Sequence, residues 1–104
     1  MAHFTVRIEL REATPEDQQR LDAAMEAAGY RRTVTDDSGL IYHLPTSEYD
    51  LVANGNVSQV LAHAERIAAS VKPQPQPQVL ITEGVYRAFS LIPAAARKPA
   101  PAKR

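Results

Sequence analysis

The sequence predicts an α+β fold in which two helices lie on one face of an antiparallel sheet. Three observations carry this prediction. A period-two run opens the chain, two amphipathic helical stretches follow N-capping residues, and a β-rich stretch between the helices is punctuated by Asp36-Asp37-Ser38-Gly39 and Pro45.

In the opening run, Phe4, Val6, Ile8 and Leu10 alternate with Thr5, Arg7, Glu9 and Arg11, the signature of a strand with one buried face. Thr14 then stands as an N-cap. Pro15 occupies the first helical position, where its missing amide costs nothing, and Glu16 and Asp17 face the positive end of the helix dipole. The apolar stripe Leu21, Ala24, Met25 and Ala28, closed by Gly29, predicts a helix from Pro15 to about Ala28.

Thr33-Val34-Thr35 and Leu40-Ile41-Tyr42 flank the acidic turn, in which Gly39 can take the positive φ of a tight reversal. Pro45 has no amide to donate and interrupts the run. Tyr49, Leu51 and Ala53 alternate with Asp50 and Val52, so a further strand segment follows and a long, bent hairpin is expected. Asn56 with Gln59 three residues later suits a capping box. Val57, Val60, Leu61, Ala64, Ile67, Ala68 and Val71 share one side of the helix this box begins. Lys72-Pro73-Gln74-Pro75-Gln76-Pro77 stops that helix and leads to Val79-Leu80-Ile81-Thr82, a short strand without clean alternation, as expected of a strand that contacts protein on both faces or lies centrally. Beyond Gly84, the apolar residues Val85, Tyr86, Phe89, Leu91 and Ile92 are expected to fold back as a short helix or edge strand. The order is βαββαβ, the split βαβ or ferredoxin-like sandwich with a four-stranded sheet. It occupies residues 1–93, and a disordered basic tail rich in Ala, Pro, Lys and Arg spans 94–104.

A chain of 104 residues supports one modest core. The absence of cysteine removes disulfides, thiolate zinc sites and cysteine nucleophiles, and fits a reducing compartment. With no signal-peptide pattern and no apolar run of roughly 20 residues, a cytoplasmic location without membrane insertion is expected. The formal charge is zero but uneven, with −4 over residues 1–93 and +4 over 94–104. An acidic body repels phosphate backbones at long range, so any RNA contact must be local or assisted by the tail.

No GxGxxG, Walker-type loop, HExxH or GxSxG pattern occurs. His3, His43 and His63 fall on different elements without metal-ligand spacing, so no metal or cofactor is expected. Asp36 and Asp37 could hold Mg²⁺ or act as acid and base, but two aspartates before Ser-Gly are ordinarily turn formers. A base-stacking sheet of the RNA-recognition type is disfavoured by Thr5, Arg7 and Glu9 on the first strand. His43 with Arg31 or Arg32 is the pairing suited to metal-free RNA cleavage, with His as general base and Arg steadying the phosphorane. The bland alternative is an exposed strand histidine beside solvated arginines. Tyr42 should lie on the opposite face from His43. His63 reads as a boundary residue of its helix, and Tyr86 and Phe89 as packing aromatics.

The run DSGLIYHLPTSEYDLVANGNVSQVLAHAERIAASV, followed by VLITEGVYRAF, resembles the GhoS-like antitoxins of type V toxin–antitoxin systems over roughly residues 4–90. The similarity lies in Gly39 after its acidic turn, Leu44, the strand around Tyr49 and Leu51, the second helix, and the closing segment with Tyr86, Arg87 and Phe89. The resemblance implies a ferredoxin-like fold similar to small CRISPR-associated nucleases, and endoribonucleolytic cleavage of the messenger for a small membrane toxin. The metal chemistry of those nucleases needs an Asp near the end of the first strand, where this chain has Arg11-Glu12. The expected cleavage is therefore metal-independent, with His43, Arg31 and Arg32 as candidate catalytic residues and Arg7, Arg11 and Arg87 as candidate RNA contacts. The alternative is a non-catalytic binding or assembly domain acting through its open sheet face, or pairing as a homodimer through a sheet edge.

Overall fold

The period-two run forms the centre of the molecule. In the computed structural model, which describes residues 1–84 and 88–94, β1 (Ala2–Glu9) lies between β4 (Glu48–Ala53) and β5 (Gln78–Glu83), antiparallel to both. Phe4, Val6 and Ile8 point to one face and are fully buried, as the alternation requires. Each such side chain contributes about 1.5–3 kcal/mol on burial.

Two helices cover that face. Helix α1 (Pro15–Ala27) begins at Thr14, whose hydroxyl accepts from the Asp17 amide while the Asp17 carboxylate accepts from the Thr14 amide. It inserts Leu21 and Met25 into the core, whereas Ala28, expected in the stripe, is exposed. Gly29 follows with φ +97°, the left-handed conformation that ends a helix without a Cβ clash. Helix α2 (Val57–Val71) opens with the expected Asn56–Gln59 capping box and buries Val60, Ala64 and Ala68 in the same cluster. Its first apolar residue, Val57, remains exposed.

The acidic turn makes a separate two-stranded hairpin from β2 (Thr33–Thr35) and β3 (Ile41–His43). Asp36 forms the turn: one carboxylate oxygen accepts from the Ser38 amide, the Ser38 hydroxyl and the Leu40 amide, and Gly39 takes φ +92°. The expected single long hairpin is divided, because Pro45 and the turn at 46–47 redirect the chain and β4 joins β1. Among the described residues the main sheet thus has three strands, one fewer than the expected four. At the fourth position, beside β4, stands one bridge: Arg31 and Asp50 exchange both backbone bonds at 2.7 Å.

β5 is an edge strand, not the central one its composition suggested. Val79 and Ile81 pack on the core, while Leu80, 63% exposed, takes the outward position that hid the alternation. The closing segment returns to the hairpin. Pro93 bridges Tyr42, with the His43 amide donating to the Ile92 carbonyl and the Ala94 amide donating to the Ile41 carbonyl. The expected fold-back therefore takes the form of an edge pairing that reaches Ala94. Val85, Tyr86, Arg87 and residues 95–104 lie outside the described residues. Among the described residues no helix is long and apolar enough to cross a membrane.

Candidate functional site

The face of β1 turned away from the helices carries His3, Thr5, Arg7 and Glu9. Thr5 stands opposite Asp50 on β4 and Arg7 opposite Glu48. Asp50 is 7% exposed, a depth at which a carboxylate needs partners. His3 supplies one, with Nε2 3.0 Å from Asp50 Oδ1. An ionised carboxylate only accepts, so opposite one Nε2 is the donor, and in that tautomer of a neutral imidazole Nδ1 holds the lone pair.

The backbone bridge from Arg31 to Asp50 brings the start of the hairpin across this pair. The result is a cleft of about 270 Å³ lined by His3, Arg31, Thr33, Thr35, Asp50 and Val52, together with Gly29 and Val34. It brings together an imidazole oriented by a buried carboxylate, a guanidinium-bearing residue and two hydroxyls. These are the groups that proton transfer beside a phosphate requires.

A second cleft, of about 520 Å³, opens on the other side of the hairpin. Arg32 and His43 line it with Leu44, Pro45, Thr46 and the 90–92 segment. Thr33 pairs with His43, and the Leu44 amide donates to the Arg32 carbonyl at 2.9 Å, which sets Arg32 beside the histidine's strand. The Arg32 guanidinium lies 3.6 Å from Asp22 Oδ2. The other Asp22 oxygen accepts from the Tyr49 hydroxyl at 2.7 Å and from Gln18 Nε2 at 3.1 Å. Burial, reinforced by the bond to Asp22, pushes the Tyr49 phenol far above its usual value, so this hydroxyl keeps its proton.

The structure therefore separates the expected catalytic set. Arg32 and His43 share a cleft, whereas Arg31, one residue earlier on an extended segment, faces the other side with His3 and Asp50. Tyr42 is on the opposite side from His43, as expected. Its hydroxyl donates to Asp36 Oδ2 at 3.2 Å and its ring meets Phe89 edge-on at 5.2 Å. The hydrogen bonds from Ser38, then from Leu40, hold the Asp36 carboxyl below its ordinary range, consistent with a turn residue. His63 sits at the border of its helix, with Nδ1 2.8 Å from the Tyr30 hydroxyl and the two rings stacked.

Of the candidate RNA contacts, Arg7 lies on the outer sheet face, 3.5 Å from Glu48, and Arg11 is exposed in the turn after β1. Arg87 lies outside the described residues. Sequence reasoning missed His3 and Asp50. The available signal was parity, since His3 shares the outward phase of Thr5 and Arg7, while Asp50 is out of phase with the inward Tyr49 and Leu51. Among the described residues no three His, Asp or Glu side chains gather as a metal-ligand group. Comparison of the chain with protein-family models and with curated proteins returns no match.

Proposed function

We propose that this protein is an endoribonuclease antitoxin of a type V-like toxin–antitoxin system, acting in the cytoplasm on the messenger of its toxin, with a ferredoxin-like fold. The fold assignment draws support from the strand order β4-β1-β5 with Arg31 bridged to the outer side of β4. The observation that carries the activity is the His3–Asp50 pair facing the same cleft as Arg31. His3 Nδ1 takes the proton of a ribose 2′-hydroxyl. The 2′-oxygen bonds to the adjacent phosphorus, and the bond to the 5′-oxygen breaks as that oxygen takes a proton from water. Arg31 and the Thr33 and Thr35 hydroxyls steady the charge on the phosphorane. The products are a 2′,3′-cyclic phosphate and a free 5′-hydroxyl.

The test is cleavage of end-labelled messenger fragments, with and without EDTA, by the wild type, His3→Ala and His43→Ala. General-base loss lowers the rate by about 10²–10⁴-fold. The expected result is a chelator-insensitive cut with a cyclic phosphate end, abolished in His3→Ala at unchanged melting temperature and retained in His43→Ala. The reverse pattern would move the chemistry to the larger cleft with Arg32 and His43, the site expected from the sequence.

A second reading, a homodimerising assembly domain, is favoured by β5, which among the described residues pairs on one side only and carries the exposed Leu80. It requires that no RNA be cut and that Leu80→Lys change the sedimentation coefficient.

A further inference from the structure

Between the two clefts lies a third, of about 400 Å³. It shares Val34 with the His3 cleft, and Leu44, Pro45 and Leu91 with the His43 cleft. Its outer-sheet residues are Thr5 and Glu48, its hairpin-side residues Val34 and Leu44, and the returning C-terminal segment contributes Phe89. Phe89 is 41% exposed, yet its ring rests edge-on against Tyr42, which pairs with Val34 and is tied by its hydroxyl to Asp36. The aromatic wall is thus held in place while part of it stays open to solvent.

One arginine lines each of the two neighbouring clefts. Arg31 lines the cleft that holds His3, and Arg32 the cleft that holds His43. Cation, apolar cleft with an aromatic wall, and cation follow one another around the hairpin. A nucleotide within a single strand offers the matching series of phosphate, base and phosphate.

The polar groups of the central cleft add selectivity. Glu48 Oε2 is 3.5 Å from Arg7, and Glu48 lines the cleft. A carboxylate accepts from the exocyclic amino group of cytosine or adenine, whereas uracil carries a carbonyl oxygen in place of the cytosine amino group. A base can enter such a cleft only when unstacked, which selects single-stranded RNA over a duplex.

We infer that the central cleft is a nucleobase subsite for an unpaired, amino-bearing base of a single-stranded RNA, with Phe89 stacking on the base and Glu48 reading its amino group. The inference rests on the nuclease reading for the identity of the strand. It adds the substrate's conformation and the base next to the scissile phosphate.

The experiment uses the full chain and fluorescein-labelled 2′-O-methyl tetranucleotides of C, A and U, which lack the attacking hydroxyl. Binding is read by anisotropy, and cleavage of the matching unmodified RNAs is measured separately. The expected result is tighter binding of the C or A probe than of the U probe. Phe89→Ala should weaken the preferred probe by about fivefold or more, given the worth of one base stack. Phe89→Tyr should restore binding, and Glu48→Gln should bring the C and U probes together. Equal binding by Phe89→Ala and wild type, with unmodified RNA still cut, overturns the subsite and leaves the nuclease reading standing. A Phe89-dependent preference without cleavage supports the subsite and overturns the nuclease reading. Absence of both binding and cleavage overturns both.

Discussion

Replacing Tyr49 by Phe tests the polar contact that joins the first helix to the sheet. The ring is fully buried and its hydroxyl donates to Asp22 at 2.7 Å, so the substitution removes one charge-assisted bond and opens no larger cavity. Bonds to charged groups contribute about 1.5–3 kcal/mol. The lower end applies here, because Asp22 retains Gln18 at 3.1 Å and Arg32 at 3.6 Å. A loss of about 1.5 kcal/mol corresponds to a fall of roughly 6–12 °C in melting temperature for a domain of this size. Urea unfolding at pH 7, followed by circular dichroism, measures it. The pH dependence provides an internal control. The folded phenol is raised above its ordinary 10.0, so its stabilising share is complete below that value and is lost as pH rises through the folded value. Wild-type and Tyr49→Phe stabilities should therefore converge above pH 10. A variant within about 0.5 kcal/mol of wild type at pH 7 would refute the contribution assigned to this bond.

Two further substitutions probe the hairpin and the second helix. Asp36→Ala removes the acceptor shared by Ser38 and Leu40 and should lower hydrogen-exchange protection across β2 and β3 while β1 amides keep theirs. Because the Asp36 carboxyl is held below its ordinary 3.8, the wild-type hairpin should retain protection above that value and lose it as pH falls through the lower folded one. Asn56→Ala removes the acceptor for the Gln59 amide and should cost about 1 kcal/mol in chemical unfolding, whereas Asn56→Ser should recover most of it.

Features set by near neighbours were legible in the sequence. The alternation of Phe4, Val6 and Ile8, the caps at Thr14 and Asn56, the turn at Asp36 and the separation of Tyr42 from His43 depend on contacts within a few residues, where residue type determines geometry. Features set by distant pairing were not. Whether Val79–Thr82 is central or at an edge depends on which strand lies beside it, and an outward Leu80 gives the run the look of a strand buried on both faces. The division of Arg31 from Arg32 follows from the Asp50 bridge, formed across about 20 positions of chain, and the His3–Asp50 pair spans more than twice that distance. In the candidate site, the sequence offered His43 with Arg31 or Arg32, but which of these residues share a cleft depends on the Asp50 bridge and was not readable.

The central place of β1 has a consequence for the order of events during synthesis. Ala2–Glu9 leaves the ribosome ahead of both its partners, and one edge finds its partner only when Glu48–Ala53 follows. The other waits for Gln78–Glu83, about 70 positions later, which at 5–20 residues per second is a delay of roughly 4–14 s. Until then a strand with three core side chains lacks one of its two partners. Arg7 and Glu9 on its polar face supply charges that discourage pairing with other nascent chains. The outward face of β1 that supplies His3 to the candidate site thus also carries the charges that protect the chain before a site exists.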